Sequence, residues 1–138
     1  MIFLLDTNAL LALAWQNHEH HILTTRWLRS VKSFATCPIT QGGFLRLSSN
    51  PALGFANGTD DAFVSLDSIL ADDRHEFWVD DLSFVESEVR RDLIRSHTQV
   101  TDKYLAALAR RHKGSLATLD QPLVRAFAHE SRTVTLIQ

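Results

Sequence analysis

Three aspartates stand out for what precedes them. Asp6 follows the apolar run Ile2-Phe3-Leu4-Leu5, Asp120 lies two residues beyond Ser115-Leu116-Ala117-Thr118, and Asp102 opens a run with Tyr104, Leu105 and Leu108 at helical spacing. Each acid stands where an apolar element gives way to polar chain. In an open α/β sheet that is where ligands bind, outside the carboxyl ends of the strands. Carboxylates gathered there repel one another and raise each other's pKa. A hard divalent cation resolves the repulsion, and Mg²⁺ is commonly held by one or two carboxylates plus waters and phosphate oxygens. An open site of this kind orients a water and stabilises charge on a phosphoryl group, which is what phosphodiester hydrolysis needs. Taken singly, each acid also reads as a helix cap: Asp6 or Thr7 before the first helix, Asp102 on its own helix, Asp120 ahead of Pro122.

The elements that must position these acids follow from periodicity. Four consecutive apolar residues at Ile2–Leu5 predict a strand buried on both faces, as in a parallel sheet covered by helices. The nearly all-apolar Ala9–Trp15 predicts a buried helix. Leu23, Trp27, Leu28 and Val31 fall at helical spacing, with Arg26, Arg29 and Lys32 between them. Phe34–Cys37 reads as a short strand stopped by Pro38, which opens a helix to about Ser49, where Asn50-Pro51 ends it. Pro51–Thr59 reads as an exposed loop. A helix over Asp60–Ala71 would turn Ala62, Phe63, Leu66, Ile69 and Leu70 inward. His75–Val79 is a third strand. Ser83 with Glu86 three residues on matches a capping box, predicting a helix with Arg90, Arg91 and Arg95 outward. Asp102–His112 is a further helix, stopped at Gly114. Ser115–Thr118 and Thr133–Ile137 are the last strands, with a short helix from Pro122 between them. Strands alternating with helices predict a single α/β domain over residues 1–138, with a mainly parallel central sheet and helices on both sides.

Composition narrows the function classes. The chain has 138 residues, 45% hydrophobic and 22% charged, with a net charge of −2. No overall basic field advertises a charge-driven nucleic-acid coat, although an enzyme meeting nucleic acid through metal and a local basic patch stays compatible with that charge. No apolar run approaches the roughly 20 residues that span a bilayer, so no membrane role is expected. The N-terminus lacks a positive leader and reads as part of the fold, not as a signal peptide. The one cysteine, Cys37, reads as core and suits a reducing cytoplasm. His18, His20 and His21 lie close together, but no second ligand motif completes a metal site, so this stretch reads as a solvated joint. Asp60-Asp61 reads as a helix start, Asp72-Asp73 as a turn, and Asp80-Asp81 as a cap or turn near the end of a strand.

In this setting the chain resembles the PIN-domain ribonucleases, and within them the VapC-type toxins of bacterial toxin–antitoxin pairs. The resemblance is carried by Asp6-Thr7-Asn8, by Asp102 in Thr101-Asp102-Lys103-Tyr104-Leu105-Ala106, by Thr118-Leu119-Asp120, and by Cys37-Pro38-Ile39-Thr40-Gln41-Gly42-Gly43-Phe44-Leu45-Arg46. It implies a cytoplasmic Mg²⁺- or Mn²⁺-dependent endoribonuclease, a homodimer, held inactive by a small antitoxin laid across the active site. Carried over residue by residue, it implies Asp6, Asp102 and Asp120 as metal-binding catalytic acids, with Asn8 and Thr118 at the RNA substrate. Arg46, one helical turn beyond Gly43, would face the same cleft and take a phosphate or an acidic group of the antitoxin.

One position departs from the family. Two residues beyond Gln41 its members usually carry a glutamate; here the residue is Gly43. The site then holds one fewer negative charge, which weakens metal binding and disfavours a second ion. It also keeps open a different class of function, a degenerate PIN module that binds RNA or a protein partner without cutting. Other phosphate chemistries fit less well. A receiver domain needs an acidic pair after the first strand and a late lysine, a dehalogenase-type phosphatase needs an aspartate where Asn8 stands, and no Walker A loop is present.

Overall fold

A computed structural model describes residues 1–138. The strands are β1 (Phe3–Leu5), β2 (Phe34–Thr36), β3 (His75–Phe77), β4 (Ser115–Thr118) and β5 (Val134–Leu136). The helices are α1 (Thr7–Ala14), α2 (His21–Arg29), α3 (Pro38–Ser49), α4 (Thr59–Leu70), α5 (Val100–Arg111) and α6 (Gln121–Ala126). All neighbouring strands pair parallel, in the order β3-β2-β1-β4-β5. β1 is central, with Leu4 opposite Ala35 of β2 and Leu116 of β4.

The continuous apolar run of β1 is explained by two cores. Leu4 packs with Leu116, Tyr104, Leu105 and Leu108 of α5 on one face of the sheet. Its neighbour Leu5 packs with Ala117, Leu10, Phe34 and Phe44 on the other, beneath α1 to α4. Successive strand residues point to opposite faces, so a strand covered on both sides has no position for a polar residue. α5 is buried almost all round, from Lys103 through Ala109.

Three expectations are corrected. The capping-box helix after Ser83 does not form; the chain from Leu82 to Gln99 is irregular, with only short 3₁₀ turns at Arg91–Leu93 and His97–Gln99. Side chains take carbonyl groups that a helix would have used. The Tyr104 hydroxyl donates to the Leu82 carbonyl at 2.7 Å, and Arg91 donates to the Val85 carbonyl at 3.1 Å. Phe63 is not inward but 52% exposed, because α4 rests on Ala62 and Leu66 alone among its fully buried residues. The left-handed residue after α5 is Lys113 (φ 59°) and not Gly114. Gly114 is required for a different reason: a Cβ there would lie 2.4 Å from the Ile2 carbonyl oxygen.

Candidate active site

β1 and β4 lie side by side at the centre of the sheet, and the chain order runs away from them in both directions. This is the topological switch point, where an open parallel sheet leaves a crevice beyond its carboxyl ends. Asp6 is the first residue past β1; its N–H donates to the Ala117 carbonyl at 3.1 Å, extending the ladder by one bond. Its side chain caps α1, accepting the Asn8 N–H at 3.4 Å. Thr118 ends β4, and its hydroxyl donates to Asp6 Oδ2 at 2.7 Å while accepting the Asp120 N–H at 3.1 Å. One buried hydroxyl therefore fixes both the Asp6 carboxylate and the backbone that carries Asp120. Asp120 in turn caps α6 through the Leu123 N–H at 3.2 Å.

Asp102 is not the N-cap of α5, as expected from sequence, but stands in its first turn; Gln99 is the cap residue and gives no side-chain bond. The carboxylate still lies at the positive end of the helix. Asp6, Asp102 and Asp120 line one open cleft together with Asn8, His20 and Arg46. Burial pushes the Asp6 carboxyl above the usual carboxylate range. The Thr118 hydroxyl and the Asn8 N–H oppose that shift, and the charges of Asp102 and Asp120 add to it. Burial also raises Asp102, with the Lys103 ammonium opposing and Asp120 reinforcing. The acids thus share an unfavourable field that a cation would relieve.

No three acidic, histidine or cysteine side chains lie close enough together to hold a metal ion as they stand. The donors are hard carboxylate oxygens in a wide cleft, the set that suits a divalent ion retaining much of its water. The histidine stretch has a bonding role that the sequence did not reveal. The His20 N–H donates to His18 Nδ1 at 3.0 Å, so Nδ1 is the acceptor and the ring's proton sits on Nε2. Nε2–H then donates to Asn8 Oδ1 at 3.0 Å, which orients the Asn8 amide and leaves both its N–H donors free at the cleft wall. The His18 ring is itself held by stacking on Phe55, 5.8 Å between centroids.

Of the residues expected at the substrate, Asn8 and Arg46 line the cleft, whereas Thr118 is fully buried and its hydroxyl is committed to Asp6 and Asp120. Its place is behind the acids, not against a substrate. Thr118→Val keeps the shape of the strand residue but leaves Asp6 Oδ2 and the Asp120 N–H without their partner. We expect a stability loss of about 1–3 kcal/mol in denaturant unfolding. Any cleavage activity should fall by about 10–100-fold, the usual scale for groups that orient metal-binding side chains.

Asp80 and Asp81 lie outside the cleft. Asp81 faces Arg111 at 3.6 Å, and the Asp80 carbonyl faces the Tyr104 hydroxyl at 3.3 Å. The arginines of the irregular segment divide. Arg90 is paired with Asp92 and Glu130, whereas Arg95 lines a second cavity beside Asp102, Lys103 and Asp120, continuous in its lining with the first. Lys103 was the residue sequence reasoning passed over. Its signal was the unbroken apolar run Tyr104–Ala109, which marks a helix buried all round and hence a lysine buried at its start.

The PIN domain model matches residues 3–127. Ribonuclease VapC29 of Mycobacterium tuberculosis is 44% identical over 124 residues, covering 89% of each chain. Among solved structures, that of VapBC2 from Rickettsia felis bound to a DNA fragment from its promoter superposes with a TM-score of 0.68 at 17% identity, over all of both chains. The Mycobacterium tuberculosis toxin VapC20, described as cleaving the sarcin–ricin loop, also gives 0.68 at 17% identity, over 91% of this chain and 95% of that one. The chain belongs to the PIN-domain family, among relatives of the VapC type.

Proposed function

We propose that this protein is an endoribonuclease toxin that hydrolyses RNA phosphodiester bonds with a divalent cation, Mg²⁺ or Mn²⁺, held by Asp6, Asp102 and Asp120. The observation that carries this reading is that three carboxylates, two of them with raised pKa, line one cleft at the sheet's switch point. The bound ion would supply Lewis-acid stabilisation of the phosphoryl charge and a more acidic water. The chain's own groups do the rest. Thr118 fixes the Asp6 carboxylate in one rotamer, so the acid is preorganised before substrate arrives. Asn8, oriented by His18, offers two amide donors to a phosphate oxygen or the sugar. Arg46 is not among the arginines tied to carboxylates and offers its guanidinium to a flanking phosphate.

The same rim supports a small antitoxin as partner, since a chain end bearing a carboxylate would meet Arg46 at the cleft mouth. The exposed Phe63 lines a shallow groove beside Arg46 and would take an apolar residue of that partner. We read the active form as a cytoplasmic homodimer, on the pattern implied by the family. No helix is long and apolar enough to cross a membrane.

The test is cleavage of single-stranded and hairpin RNA by the purified chain with Mn²⁺, with Mg²⁺ and with chelator. Metal-dependent cutting supports the proposal; RNA binding without cutting under any metal would favour the non-cleaving module. For Arg46→Ala we expect RNA affinity about tenfold weaker and a shallower dependence on salt, because one phosphate contact is removed. An unchanged salt slope would place Arg46 outside the RNA path.

A further inference from the structure

Lys103 is the only buried lysine of the chain; Lys32 and Lys113 are exposed. Its side chain is 4% exposed, yet its one hydrogen-bond acceptor is Asp102 Oδ1, at 3.4 Å. Two ammonium N–H groups have no partner within the chain. Burying a cation so sparsely bonded is costly unless the local field favours it. The field does so here, because Asp6, Asp102 and Asp120 gather their charges at the adjoining cleft, and Asp102, Asp120 and Lys103 also line the second cavity. Three carboxylates and the one buried ammonium leave two negative charges, which a single divalent ion neutralises; the guanidiniums of Arg46 and Arg95 line the same cavities but are exposed to solvent.

Resting on the proposed metal-dependent reading, we infer that Lys103 is a built-in counter-cation: it takes the electrostatic place of a second divalent ion, limits the site to one ion, and offers its free N–H groups to a phosphate oxygen entering along the second cavity. Lysine suits this role as a compact point charge. Metal and Lys103 then compete for Asp102, so removing the ammonium should tighten metal binding even as it removes a phosphate contact.

Mn²⁺ titrations of the full chain, followed by electron paramagnetic resonance and calorimetry, test this without reference to turnover. The parent should bind one Mn²⁺. Lys103→Met should bind Mn²⁺ at least about tenfold more tightly, the modest end of the effect of a unit charge a few ångströms away. Its RNA cleavage should nevertheless fall. Lys103→Arg, which keeps the charge, should retain parental affinity. If Lys103→Met does not fold, Lys103→Gln removes the same charge and keeps a polar end. A parent that binds two Mn²⁺, or a neutral variant whose affinity is equal or weaker, overturns the inference and leaves the metal-dependent reading standing. A parent that binds no Mn²⁺ at millimolar concentration overturns both.

Discussion

Asp6→Asn is expected to lower RNA cleavage by about two to three orders of magnitude, the scale for removing a group that acts on transition-state charge, and to leave the fold intact. The two halves of this expectation have separate causes. The carboxylate lies between β1 and α1 beside Asp102 and Asp120, where a divalent cation would be drawn. A neutral amide halves the hard-oxygen donors there and removes a full charge, so Mn²⁺ affinity should fall with activity. Structurally the substitution is mild. Asparagine is as good an N-cap as aspartate: its one carbonyl oxygen keeps the Asn8 N–H, and its NH2 takes the place of Oδ2, where the Thr118 hydroxyl turns to accept instead of donating. Burial and two like charges already oppose ionisation at this position, so the melting temperature should not drop. Asp102→Asn should behave alike. Asp120→Asn should lose less, because that side chain also caps α6 and the amide oxygen preserves the bond to the Leu123 N–H. Undiminished cleavage by Asp6→Asn would move the chemistry to another part of the molecule; lost activity with a lowered melting temperature would reduce Asp6 to a structural cap.

What was legible in sequence was whatever depends on local pattern. Leu4 and Leu5 had to face two different cores because adjacent strand residues cannot share one, and they do. The acids could be placed at one edge of the sheet because each follows a strand or opens a helix. The segment from Leu82 to Gln99 was not legible, because its partners lie far along the chain: Tyr104 takes the Leu82 carbonyl, and Arg111 gathers Asp81, Glu86 and Glu88. Ser83 and Glu86 match a capping box in spacing only, since Phe84 and Val85 are exposed and give no apolar face to bury. Phe63 shows the same limit in a helix that does form. Its spacing with Leu66 and Leu70 was sound, but which flank of the stripe touches α3 is set by packing. Thr118 could be matched as a motif residue without its role being visible, since that role depends on β1 and β4 being neighbours across more than a hundred residues.

At Gly43 the packing of α3 on α1 leaves no room for a side chain. If glycine merely stood in the place where the family resemblance implies a glutamate, Gly43→Glu would add a ligand and, glycine being a poor helix former, stabilise α3. The space is not free. A Cβ at residue 43 would lie 2.8 Å from Thr7 Oγ1 and 3.0 Å from Thr7 Cγ2. Thr7 is the first residue of α1, next to Asp6, and both its γ atoms and its Cβ lie within 3.5 Å of that position, so turning the side chain alone does not clear the space. Any side chain at 43 therefore presses on the turn that aims the Asp6 carboxylate. Gly43→Ala is expected to cost about 1–3 kcal/mol, the range for overpacking a filled site, and Gly43→Glu more, with cleavage and Mn²⁺ affinity both reduced. The cause can be isolated. In a Thr7→Ala background the two closest atoms are gone, and Gly43→Ala should become neutral or stabilising by up to about 1 kcal/mol, the helix-propensity difference between alanine and glycine. Urea unfolding of the four proteins in this cycle gives the coupling between residues 7 and 43 directly. A coupling near zero would mean that α3 and α1 can separate without loss, and that the glutamate is absent for reasons other than space.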